Sequence, residues 1–180
     1  VAADLSHAEG VAHLLAACPK VDGLVNNLGI YTASDFETTP DAEWLRFFET
    51  NVLSGVRLAR HYLPQMKAQN WGRIVFVSSE SALNAPAEMV HYGMTKAAQL
   101  SVARGSAQTT AGSGVTVNSV LPGPTRSEGV GTFFAELAAA QGVSLAEAEQ
   151  AFFAHARPTS LLKRFIEPAE VAALVAYVCS

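Results

Sequence analysis

Short apolar runs alternate with longer stretches in which apolar residues recur at helical spacing, the pattern of parallel βαβ units. Val1 to Ala3 reads as the tail of a strand, and Ser6-His7-Ala8-Glu9 as a capping box starting a helix to about Ala17. Gly23-Leu24-Val25-Asn26 reads as a short strand end. Thr39-Pro40 opens a long helical stretch through Trp44, Phe47, Phe48, Val52, Val56 and Leu63, with a kink or shortening expected at Pro64. Gly72 introduces Arg73 to Val77, the clearest buried strand. Val90 to Ala111 predicts another helix, ended by Gly112-Ser113-Gly114. Val115 to Val120 is the next strand, stopped by Pro122-Gly123-Pro124. Helical pieces follow near Val130 to Gln141 and Ser144 to His155, the second with a capping box from Ser144 to Glu147. A last helix begins near Pro168 and runs to the chain end. No repeat, low-complexity tract or linker intervenes, so the expectation is a single α/β domain over residues 1–180.

Composition narrows the class of function. The chain has 49% hydrophobic and 16% charged residues, and its mean hydropathy of +0.20 argues against disorder. Such a balance suits elements buried on several sides, or surface hidden in an oligomer. Net charge is −4, and no basic block occurs, which excludes a nucleic-acid partner. No uninterrupted apolar stretch is long enough to span a membrane. Cys18 and Cys179 stand far apart and outside any C-x-x-C, so neither a disulfide framework nor a cysteine zinc site is expected. Two reduced thiols fit a cytoplasmic protein, and no metal ligand set is predicted. The chain opens on Val1 rather than Met, so its start carries no reading about targeting.

Tyr92-Gly93-Met94-Thr95-Lys96 places a phenol and an ammonium four residues apart, on one face of a helix. A nearby cation favours the phenolate. Bringing a Tyr from about 10 towards 7 takes roughly 4 kcal/mol of differential interaction. A phenol so tuned exchanges a proton with a carbonyl or alcohol oxygen near neutral pH. Chance alone supplies roughly 0.09 such pairs in a chain of this composition, and an ordinary surface pair stays open on this evidence. Three neighbours change the balance. Ser78-Ser79 ends the buried strand, Asn26-Asn27-Leu28-Gly29 ends the strand before it, and Pro122-Gly123-Pro124-Thr125 ends the strand after it. Ligands of open α/β sheets bind at such carboxyl ends. Each group also has a plain role as a turn former or strand stop.

With Asn-Asn-x-Gly, then Ser followed 13 residues later by Tyr-x-x-x-Lys, then Pro-Gly, all in order, the sequence resembles the short-chain dehydrogenase/reductase family. It is most similar there to 3-oxoacyl-acyl-carrier-protein reductase-like members. The resemblance implies a Rossmann-like, doubly wound parallel sheet flanked by helices. It implies NAD or NADP as cofactor, with no reading of which, and a small-molecule carbonyl or alcohol substrate. Tyr92 would be the general acid/base, and Lys96 would lower its pKa and hold the nicotinamide ribose. Ser79 would fix the substrate oxygen, and Asn51 would position a water near the lysine. Asn27 and Gly29 would line the cofactor cleft, Asp4 and Leu5 would contact the adenine, and Pro122, Gly123 and Thr125 would cover the nicotinamide. Residues of about 125–166 resemble the variable substrate lid, with Phe133, Phe134, Leu137, Phe152 and Phe153 at helical spacings. These apolar side chains are open to two readings, packing or pocket lining. Glu80, Met89 and His91 could shape the pocket, but His91, adjacent to Tyr92, points elsewhere on the helix.

The family's first two strands and its glycine-rich phosphate turn have no counterpart here. Against a typical member of about 250 residues, about 60 are lacking at the front and about 20 at the back. The fold is therefore expected to be truncated at both ends, with the retained strands forming a sheet that has two exposed edges. A homodimer or homotetramer is implied by the family's helix packing. The rival reading is a catalytically inactive fragment or paralogue acting through oligomeric association, which predicts stable oligomers without nicotinamide binding.

Overall fold

Three parallel strands carry the strongest apolar runs. In the computed structural model, which describes residues 1–180 apart from the Phe133 side chain, β1 (Gly23–Asn26), β2 (Gly72–Val77) and β3 (Val115–Val120) form one sheet in that order. Gly23 pairs with Arg73 and Asn26 with Phe76, while Gly72 pairs with Val115 and Val77 with Val120. Parallel neighbours require long crossovers. Helices α2 (Asp41–Phe48) and α3 (Ser54–Ala68) link the first pair, and α4 (Val90–Gln108) links the second. Helix α1 (Ala8–Ala17) precedes β1 and packs on α3. This is the expected Rossmann-like arrangement.

The central strand is apolar from Ile74 to Val77 because both faces are covered there: Ile74, Val75 and Phe76 are buried. The outer strands alternate, burying Leu24 and Asn26, or Val115, Val117 and Val120, while Val25, Thr116 and Asn118 are exposed. Val11, Leu58, Tyr62, Ile74, Phe76 and Ala103 join α1, α3, β2 and α4 in one core.

Three local expectations are corrected. Val1 to Ala3 forms no strand, since none of the three described strands lies beside it to share hydrogen bonds. Ser6 forms no capping box. Its amide and hydroxyl both donate to Asp4 Oδ1, at 2.9 and 2.6 Å, so a local turn takes the donors and His7 becomes the N-cap. Pro64 neither shortens nor ends the helix, which runs on to Ala68. It is exposed, on the side where a missing helical bond costs least. The irregularity falls earlier, in a π-turn at Glu49–Leu53.

Val1–Leu121 with Val175–Ser180 forms one compact unit, and Pro122–Leu174 another. In the second, α5 (Glu128–Gln141) and α6 (Leu145–His155) bury Phe134, Ala138, Ala148, Phe153 and Phe165, and Phe152 stacks on Phe165 with ring centroids 5.4 Å apart. Phe134, Phe152 and Phe153 thus pack with one another, together with Leu137. The side chain of Phe133 lies outside the described residues. Ser144 and Glu147 form the expected capping box. Arg126 joins this unit's segments by binding Glu149 at 2.8 Å and Glu167 at 3.2 Å. Helix α7 (Pro168–Cys179) is the last element. Among the described residues, no helix is long and apolar enough to cross a membrane.

Candidate active site

Helix α4 buries polar side chains where a core helix would bury apolar ones: His91, Thr95, Lys96 and Gln99 are all nearly inaccessible. Burying a polar group is costly unless it is hydrogen-bonded, and a buried charge more so. Their partners therefore define the site. Lys96 Nζ donates to the Val77 carbonyl at 3.0 Å and to Gln99 Oε1 at 3.2 Å. Ser78, just past the end of β2, donates from its hydroxyl to the Lys96 carbonyl at 2.9 Å and from its amide to the Val120 carbonyl at 2.8 Å. Its side chain thus ties the strand end to α4, and its backbone ties it to β3. Burial lowers the Lys96 ammonium to about 8, because both acceptors are neutral and compensate only part of the lost hydration.

Asn51 lies in the π-turn and is buried. Such turns re-aim side chains and carbonyls and recur at functional sites. Its amide accepts from Ile30 N at 2.8 Å and donates to Ile30 O at 3.0 Å and to Thr95 Oγ1 at 3.0 Å. Thr95 passes its own proton to Tyr92 O at 2.7 Å. The loop after β1 is thereby latched to α4, which brings Gly29 to the lysine: a Cβ on Gly29 would lie 3.4 Å from Lys96 Nζ.

Ser79 caps a short 3-10 turn (Glu80–Ala82), accepting from Ser81 N at 3.1 Å. With a lone pair so engaged, its hydroxyl proton is free to point outward. Burial, the largest cause, together with Tyr31 and Glu80, leaves Tyr92 above its ordinary value against the lowering effect of the Ser79 hydroxyl. In the free chain, with Lys96 nearby, Tyr92 stays above its ordinary value. Lys96 Nζ sits 5.6 Å from the ring centroid and spends its donors on Val77 and Gln99. Gly93 makes the Ser79–Tyr92 approach possible, since a Cβ there would lie 2.5 Å from Ala85 Cβ and 3.1 Å from Ser81 O.

His91 turns away from this cluster. It packs on Phe47 at 4.2 Å and Trp44 at 6.0 Å between ring centroids, and burial lowers its pKa. Leu5, Asn27 and Asn51, with Asn26 and Gln99, line a cavity of about 50 Å³. Among the described residues the buried Asn26 amide has no hydrogen-bond partner, which suits an ordered water. Asp4 is exposed, and Ser6 holds its carboxyl below the usual range. Pro122, Gly123 and Thr125 lie in the second compact unit, where Thr125 donates to Gly123 O at 2.9 Å and bridges to Ile166. Sequence reasoning missed Thr95, Gln99 and the Val77 carbonyl. The signal for Gln99 was a second polar residue one turn beyond Lys96 on the same face.

The family profile described as short chain dehydrogenase matches residues 1–142. The chain is 45% identical, over 177 residues, to the uncharacterized oxidoreductase YvaG of Bacillus subtilis, covering 98% of this chain and 67% of that protein. It is 30% identical over 159 residues to the D-beta-hydroxybutyrate dehydrogenase of Cupriavidus necator, covering 88% of this chain and 60% of that one. The structure of L-sorbose reductase from Gluconobacter frateurii, complexed with NADPH and L-sorbose, superposes with a TM-score of 0.90 at 28% identity, covering 100% of this chain and 69% of that one. With this fold, strand-end serine and Tyr-x-x-x-Lys helix, the chain belongs to the short-chain dehydrogenase/reductase family. It spans about two thirds of its Bacillus subtilis relative.

Proposed function

We propose that this NAD(P)-dependent oxidoreductase interconverts a secondary alcohol and a ketone, with Tyr92 as general acid/base. The observation that supports it most is the convergence of Ser79 on Tyr92, beside a buried lysine held by neutral acceptors.

The residues present fit a nicotinamide nucleotide. The absence of a side chain at Gly29, where a Cβ would stand 3.4 Å from Lys96 Nζ, leaves open the space that a ribose diol requires. Lys96 and Tyr92 would hold that diol, with Asn27 and Gly29 beside it. Asp4 and Leu5 are proposed for the adenine. Pro122, Gly123 and Thr125 are proposed for the nicotinamide, Thr125 through the carboxamide. When bound, the nicotinamide supplies the hydride for reduction and takes it in oxidation.

In the reductive direction, Ser79 donates a hydrogen bond to the substrate carbonyl oxygen and aligns it. As the carbonyl carbon gains hydride, its π pair moves onto oxygen, which takes the Tyr92 proton. Tyr92, held above its ordinary value by burial, carries the proton that this step needs. The phenolate left behind faces the Lys96 cation across a partly dry site, where opposite charges attract more strongly than in water. Asn51 keeps the loop after β1 in register with α4. Residues of about 125–166 are proposed as the substrate lid. A cytoplasmic homodimer or homotetramer belongs to the same proposal, resting on the free cysteines Cys18 and Cys179 and on the family.

The test is transfer of deuterium from 4-deuterated NADH and NADPH to a panel of ketones, read by NMR at the carbinol carbon. Incorporation supports the reading. Cofactor binding without incorporation into any ketone would overturn it, and stable oligomers without cofactor binding would favour association instead.

A further inference from the structure

The chemistry above leaves one buried polar side chain of α4 unused. Gln99 is only 2% exposed. Its Nε2 donates to the Asn51 backbone carbonyl at 2.5 Å, and its Oε1 accepts from Lys96 Nζ at 3.2 Å. The orientation of the amide is fixed by its neighbours, since only the NH2 end can meet a carbonyl and only the oxygen can meet an ammonium. The partners come from three elements: the π-turn, α4 and, through the other Lys96 bond, the end of β2 at 3.0 Å.

We propose that Gln99 is the positioning residue for Lys96, an amide bridge that ties the lysine to the Asn51 carbonyl and fixes where its buried charge sits beside the Tyr92 ring. This inference rests on the role proposed for Lys96. Gln99 supplies one of the two acceptors that keep the buried charge tolerable, and hydrogen bonds to charged groups are worth more than neutral ones. Charged and titratable neighbours are few on this side. Tyr92 presents its ring, and Glu80 acts on Tyr92 rather than on the lysine. Glu49 of the π-turn is bound by Arg57 at 2.6 Å. Glu43 of α2 is paired with Arg46. Arg73 reaches to Gly114, at the opposite end of β2.

The test is carried out on the full-length protein without nucleotide. The Lys96 titration is followed by NMR of labelled lysine, its signal identified by its loss in Lys96→Met. In Gln99→Leu the titration is expected to fall by about one unit, the worth of one charge-assisted hydrogen bond. In Gln99→Glu it is expected to rise, because the acceptor is kept and a negative charge added. The pH profile of kcat/KM should move with it in each variant. A Gln99 that serves packing alone would lower the melting temperature in the Leu variant and leave the Lys96 titration in place, overturning the proposal. Should Gln99→Leu not fold, an unchanged titration in Gln99→Glu overturns it equally. An active Tyr92→Phe protein with both Gln99 shifts intact would remove the proposed chemistry and leave the bridge standing.

Discussion

Asn51 and Thr95 are joined by a buried hydrogen bond of 3.0 Å from amide to hydroxyl. Between them they connect the Ile30 backbone to the Tyr92 carbonyl. One side chain on a π-turn thereby holds a strand-end loop against the helix that carries Tyr92 and Lys96.

Thr95→Val keeps the shape and deletes the hydroxyl. It leaves an Asn51 N–H unpaired in a buried site, at a cost of about 1–3 kcal/mol. Chemical denaturation is expected to show that loss with an unchanged m-value, and kcat to fall as the loop latch loosens. A variant as stable as the parent would mean that the latch does not hold the loop.

Gly93→Ala tests the approach of Ser79 to Tyr92. The added Cβ meets Ala85 Cβ at 2.5 Å, and neither the 3-10 turn nor α4 has a flexible side chain there to yield. The turn must move, and a displacement of about 1 Å in a reacting group can cost about a hundredfold in rate. A fall in kcat of at least about tenfold is expected, with nucleotide affinity nearly unchanged. Steady-state kinetics and a fluorescence titration separate the two.

Lys96 gives a pH signature of the fold itself. Its ammonium falls from 10.5 in the unfolded chain to about 8 when folded, so the unfolded state holds the extra proton between those values. Stability therefore rises with pH across that window, by up to about 3 kcal/mol, and the penalty is fully present below about 8. Unfolding at pH 7.5 and 9.5 should show the rise in the parent protein. Lys96→Met should show much less of it.

His91 gives the complementary signature on the acid side. Burial against Phe47 and Trp44 lowers its pKa below the ordinary 6.5. The neutral ring stabilises the fold above that value, and the contribution is lost as pH falls below it. Denaturation midpoints at pH 7.5 and 5.5 should diverge more in the parent than in His91→Phe. Equal slopes would show that His91 does not carry the effect.

Much of this architecture was legible in the sequence, and for particular reasons. β2 and β3 announce themselves as apolar, β-branched runs closed by serine or proline, and the Ser144 box was read correctly because its Glu147 had no closer competitor. The Ser6 box failed because Asp4, two residues back, captures both donors. The site residues of the Tyr-x-x-x-Lys helix are visible because their spacing is local. Gln99 was not, because its meaning depends on the Asn51 carbonyl, 48 residues away in sequence.

The most direct measurement is turnover and nucleotide affinity in Tyr92→Phe. The substitution removes one oxygen and keeps the ring beside Lys96. Loss of a general acid costs about 10²–10⁴ in rate, so kcat should fall into that range while NADH or NADPH affinity stays within about twofold. A Tyr92→Phe protein that turns over at the parent rate would contradict Tyr92 as the proton donor.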